Sequence, residues 1–258
     1  MQFPFYITIG AQQILLHVIT EILAFFIGYR YYAWLKKKQA DTISGEHRLY
    51  IIMGAALGAL LGSRLLGGLE DPVALIHAPN KLLYFYMNKT IVGGFLGGWI
   101  GVEAIKKIIG EQQKSGDLFV YPILLALIIG RIGCFSMGIH EETYGLPTHS
   151  IFGMDLGDGI KRHPVALYEI LFLSLLWCFI KVIDRRFALA QGAVFKIFMI
   201  AYLLFRFLLD FIKPHYTWPI GLSSIQIACL LGLLYYIRFI VQPKRLLSDY
   251  AGTSIHLL

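Results

Sequence analysis

Long apolar stretches, separated by connectors rich in polar and aromatic residues, dominate the chain. A helix rising 1.5 Å per residue needs about 20 residues to cross about 30 Å of hydrocarbon. Seven stretches are long enough, near 8–33, 49–69, 91–109, 118–138, 164–184, 190–212 and 222–242. The longest connectors are 70–90 and 139–163. The pattern predicts an all-α polytopic membrane protein, with about seven transmembrane helices in one integral-membrane domain over 1–258.

Composition agrees with the pattern. Of 258 residues, 57% are hydrophobic and 15% charged, against about 45–50% and about 25% in soluble domains. Disorder, a nucleic-acid-binding surface and a disulfide-stapled secreted domain all fit poorly. Cys134, Cys178 and Cys229 are too few and scattered for a zinc or disulfide framework. MQFPFYITIG lacks the basic region of a cleavable signal peptide, so the first span is expected to stay. The net charge of +7 then reports sidedness. With spans alternating, 13 of the 23 Lys and Arg residues, from Lys36 to Arg245, collect on one side. Five (Lys81, Lys89, Lys161, Arg162 and Lys213) lie on the other. The excess marks the cytoplasmic face and predicts an outside N-terminus and a cytoplasmic C-terminus. Glycines in 54–68 and 93–101 stand at helical spacing, with Gly94, Gly98 and Gly101 on one predicted packing face. No matched pair of broken helices suggests a transporter.

Charges inside spans cost at least about 2.5–3.5 kcal/mol each and mark function. Arg64, Arg131, Arg206 and Glu169 fall on four different spans, all about 8–11 Å below the predicted outer surface. Guanidinium groups from two helices can clamp a phosphate, which makes an anionic phospholipid headgroup the expected guest. The same arginines could instead snorkel or pair with carboxylates. Around this layer lies the polar run 130–169. Gly130 and other nearby glycines, including Gly133, would let a headgroup approach the backbone, and the loop supplies His140, Glu141, Glu142, Tyr144 and His149. His163 precedes Pro164 at the mouth of a span, with Tyr168 and Glu169 following; it could accept a proton or simply bond the helix start. His17 and Glu21 form an i, i+4 pair open to several roles. No HExxH or CxxC is present, and neither metal nor cofactor is expected.

The segments GRIGCF…YGLPT and RHPVALYE, with GGFLGG and FRFLLDFIKP, resemble the signature blocks of the prolipoprotein diacylglyceryl transferase family. The resemblance covers nearly the whole chain. It implies transfer of the diacylglyceryl group of phosphatidylglycerol to the lipobox cysteine thiol of secreted prolipoproteins in a bacterial inner membrane, forming a thioether and releasing glycerol phosphate. Carried over by position, Arg131 matches the phosphate-binding motif arginine and Arg206 the late catalytic arginine. Gly145 matches the downstream motif glycine, and His163, Tyr168 and Glu169 match the H-P-x-x-L-Y-E block. The sequence departs from the pattern twice. Cys134 stands where the family has Asn, and Val92 stands where it has His or Tyr, so His140 or His163 is the candidate substitute base. A transferase with another acceptor and a non-catalytic phospholipid-binding protein are the competing readings.

Overall fold

The computed structural model describes residues 3–10, 12–38 and 43–248. The chain does not begin a helix at residue 8. Strands β1 (Tyr6–Ile9) and β2 (Gln12–Leu15) pair antiparallel, from Tyr6 opposite Leu15 to Ile9 opposite Gln12. Gly10, at φ +64°, supplies the positive φ that so tight a hairpin requires. A short apolar run suits either strand or helix, and here the turn glycine decides it.

Helix α1 (Leu16–Lys38) follows, then α2 (Gly45–Gly68), the short α3 (Pro72–His77) and α4 (Lys81–Met87), α5 (Ile91–Ile109), α6 (Asp117–Met137), α7 (Val165–Arg186), α8 (Ala193–Leu209), α9 (Ser224–Tyr235) and α10 (Ile237–Val241). Five of these starts follow polar residues whose side chains accept from the first turn: Ser44, Asp71, Asn80, Thr90 and Ser223. The predicted span 222–242 is broken at Tyr236, and the predicted connector 70–90 is largely helical. Strands β3 (Met154–Asp155) and β4 (Lys161–Arg162) pair within the 139–163 connector, so the helical protein carries two small hairpins. Among the described residues, three helical segments, Gly45–Gly68, Asp117–His140 and Val165–Arg186, are long and apolar enough to cross a membrane.

Successive long helices run in opposite directions. At one end Thr90, before α5, donates its N–H to the Ser63 carbonyl late in α2, and Ser224 at the start of α9 donates to the Leu69 carbonyl. At the opposite end Arg48 of α2 donates to the Ser115 carbonyl before α6, and Asp117 accepts from the N–H groups of Gly192 and Phe195 at the start of α8. Lys36, Lys37, Lys38, Arg185 and Arg186 lie in the last turns of α1 and α7, at this second end.

The tightest helix contact is α2 on α5. A Cβ on Gly58 or Gly97 would collide with the other's carbonyl oxygen, and one on Gly101 with that of Gly54. Only bare backbone fits here, and association rests on this close approach, because lipid supplies no hydrophobic drive between helices. The contact stripe on α5 is Gly93, Gly97 and Gly101. Gly94 and Gly98, which the spacing had placed with Gly101, make looser contacts. Helix α8 occupies the middle of the core: Phe198, Met199, Tyr202 and Leu203 are fully buried against Leu173 and Ile180 of α7, Val120 and Leu124 of α6, and Val92 of α5.

Candidate functional site

Three helices bring the buried charges together. Glu169, in the second turn of α7, has no solvent exposure. Its Oε2 lies 2.8 Å from Arg131 Nε of α6 and 3.2 Å from Arg206 Nη1 of α8. Tyr202, one turn before Arg206, donates its hydroxyl to Glu169 Oε1 at 2.9 Å. Both arginines are buried, at 7% and 5% exposure. Desolvating these groups is expensive, and the shared carboxylate with its three partners offsets the cost. Two guanidinium groups against one carboxylate leave the cluster one positive charge in excess. Arg206 Nε is moreover buried with no hydrogen-bond partner among the described residues.

Asp210 continues the line of Tyr202 and Arg206 at four-residue spacing. It is buried, accepts from the Ser223 hydroxyl and lies 3.9 Å from His215 Nδ1. The sequence reading missed Tyr202 and Asp210. Their spacing around Arg206 was the available signal, since residues four apart share a helix face.

The 139–163 connector is fastened over this end. Gly145 N–H donates to the His163 carbonyl, His163 N–H to the Leu146 carbonyl, and Leu146 N–H to the Ile212 carbonyl beyond α8. A Cβ on Gly145 would sit 2.5 Å from His163 Cβ and 2.8 Å from its carbonyl oxygen, so this crossing admits only glycine. His163 Nδ1 lies 3.1 Å from the Tyr168 hydroxyl. His140 ends a 3-10 turn and is exposed.

The remaining candidates are placed differently. Arg64 stacks over the Tyr86 ring, 5.0 Å from its centroid, rather than joining the ion cluster. Gly133 packs α6 against His17 and Thr20 of α1, while a side chain on Gly130 would meet nothing within 4 Å. Val92 is fully buried in the apolar core. Beside the cluster, Cys134 Sγ accepts from Arg131 Nη1 at 3.5 Å and approaches Glu141 Oε1 at 3.9 Å. At the rim of this end, burial pushes the Glu70 carboxyl up to about 7, against the opposing pull of Lys213. Burial and the Arg206 charge push the Lys213 ammonium down.

Long apolar helices closing on a buried, hydrogen-bonded charge cluster define a helical membrane protein whose candidate site lies at one end of its bundle. The prolipoprotein diacylglyceryl transferase family model matches residues 4–242, and the chain belongs to that family. It is similar to proteins named phosphatidylglycerol–prolipoprotein diacylglyceryl transferase: 31% identical over 177 residues to that of Bordetella parapertussis, 27% over 239 residues to that of Campylobacter jejuni, and 28% over 262 residues to that of Rickettsia typhi. These matches cover 64%, 88% and 96% of this chain and 62%, 84% and 94% of the respective relatives. The chain thus spans less than two thirds of the Bordetella protein's length in that match.

Proposed function

We propose that the protein transfers the diacylglyceryl group of phosphatidylglycerol to a prolipoprotein cysteine thiol, as the names of its relatives state for them. The observation that carries this reading is the convergence of Arg131 and Arg206 on Glu169, with one positive charge in excess and Arg206 Nε unpartnered. A phosphodiester carries one negative charge and accepts forked guanidinium donors. The acceptor thiolate attacks the glycerol carbon, the C–O bond to the phosphate breaks, and its electron pair leaves with glycerol phosphate. Negative charge thereby moves from sulfur to the phosphate, and arginines already fixed in a water-poor site stabilise it without reorganising. Glu169 and Tyr202 hold the two guanidinium groups in place. The shape of Gly145 and the fastened connector support a role in shaping the headgroup site, and His163 with Tyr168 is our candidate for moving the thiol proton.

The basic end of the bundle, opposite the charge cluster, supports a multi-pass bacterial inner-membrane protein of about seven spans, with its N-terminus outside, its C-terminus cytoplasmic and the site toward the outer leaflet. Purified protein incubated with phosphatidylglycerol and a lipobox peptide should release glycerol phosphate and yield the thioether peptide. Arg131→Ala and Arg206→Ala should each abolish both products while preserving expression. Full turnover in both variants would refute the reading. Val92 in the core, where the family has His or Tyr, favours a second reading in which the acceptor is another thiol, alcohol or lipid. Mass spectrometry of membrane proteins and lipids after deletion separates the two.

A further inference from the structure

We propose that His17, Cys134 and Glu141 form a binding site for one thiophilic divalent metal ion of the zinc class. The three come from the first turn of α1, the last turn of α6 and the residue after the 3-10 turn, yet their donor atoms all lie within 4.8 Å of one another. Tetrahedral zinc, with bonds of about 2.0–2.1 Å to N and O and about 2.3 Å to S, sets N···O edges of about 3.3 Å and S···O edges of about 3.5 Å. His17 Nδ1 lies 3.3 Å from Glu141 Oε2, and Cys134 Sγ lies 3.9 Å from Glu141 Oε1. These two edges run to different oxygens of Glu141, and the three donor atoms lie within 4.8 Å of one another, so rotation of the carboxylate and the imidazole must close the set on an ion.

The polar bookkeeping points the same way. Despite their 3.3 Å approach, His17 Nδ1 and Glu141 Oε2 make no hydrogen bond to each other or to any other described residue, and both atoms are buried. Orphaned buried polar atoms are costly, and a cation between them satisfies both. Arg131 donates to Cys134 Sγ at 3.5 Å, and a divalent ion would itself displace the thiol proton on binding. Thiolate and carboxylate together supply the two negative charges that neutralise a divalent ion. On the far side of the ring, Glu21 Oε2 lies 4.0 Å from His17 Nε2, an ionic contact outside hydrogen-bond reach. Three protein donors leave a fourth position for water or an incoming thiol. No local motif announces this set, because 117 residues separate His17 from Cys134.

The inference does not depend on the transfer reaction and is tested without it. The full chain, purified in detergent and stripped with a chelator, is reloaded with Co²⁺ or Zn²⁺ and its metal content measured. One ion per chain is expected, with thiolate-to-cobalt charge-transfer absorption in the near ultraviolet. Cys134→Asn should lose that band with unchanged circular dichroism, whereas Cys178→Ser, on an exposed cysteine, should keep it. If Cys134→Asn fails to fold, His17→Asn provides the same readout. Metal content far below one ion per chain at saturating Co²⁺, or a band that survives Cys134→Asn, overturns the proposal.

Discussion

Glu169→Gln isolates what the shared carboxylate does for the fold. The substitution keeps the shape and the acceptor for Tyr202 but removes the charge between Arg131 and Arg206, at 2.8 and 3.2 Å from the nearest guanidinium nitrogens. Unit charges about 4 Å apart attract by about 4 kcal/mol at an effective dielectric of about 20. Two such pairs give a gross term of about 8 kcal/mol. Glutamine avoids the desolvation of a buried carboxylate, which returns several kcal/mol, but it leaves two buried guanidinium groups uncompensated. The net loss expected for breaking such a buried arrangement is about 3–5 kcal/mol. Tyr202→Phe removes only a hydrogen bond to a charged acceptor and should cost about 1.5–3 kcal/mol. Reversible unfolding in mixed micelles, followed by the fluorescence of Trp34, Trp99, Trp177 and Trp218, measures both variants. A Glu169→Gln loss below about 1 kcal/mol, or one smaller than that of Tyr202→Phe, would refute the view that Glu169 holds the two buried arginines in place. In the transfer assay Glu169→Gln should lower turnover even at saturating phosphatidylglycerol, because misplaced arginines stabilise the departing phosphate poorly.

Other expectations follow from local geometry. Gly97→Ala should separate α2 from α5 and cost at least the upper part of the about 1–3 kcal/mol of core overpacking, whereas Gly130→Ala should be nearly silent; equal midpoints in a thermal unfolding series would contradict the helix contact. The folded-state Glu70 carboxyl is raised from 4.5 to about 7, so the unfolded chain releases its proton first. Stability from this group is then greatest at low pH and declines as pH rises from 4.5 to about 7. Glu70→Gln should flatten that part of the pH–midpoint curve, and an unaltered slope would count against the half-buried placement of the carboxyl. His163→Ala and Tyr168→Phe should lower turnover more than they raise the lipid KM if the pair moves the thiol proton; full turnover in His163→Ala would remove His163 from that role.

Length, hydropathy and charge were enough to read a helical membrane protein, its alternating helix directions and the residues Arg131, Glu169 and Arg206, because a charge in a bilayer-length apolar stretch stands out from its neighbours whatever the fold. Depth counted along each helix also placed the three at one level, since the rise per residue is constant. Rotation about each helix axis is not fixed by that count. Packing decided that Arg131 and Arg206 share one carboxylate while Arg64 turns to Tyr86, and that Gly93 and Gly97 meet α2 backbone to backbone while Gly94 and Gly98 pack against it more loosely. It also decided that the chain turns at Gly10 in a hairpin where hydropathy extends a helix. Tyr202, Asp210 and the meeting of His17 with Cys134 and Glu141 depend on contacts between residues far apart in the chain. One sequence bounds the chemistry of such residues, but their encounter is set by the close approach of α1 to α6 at Gly133 and by the connector folded over the same end.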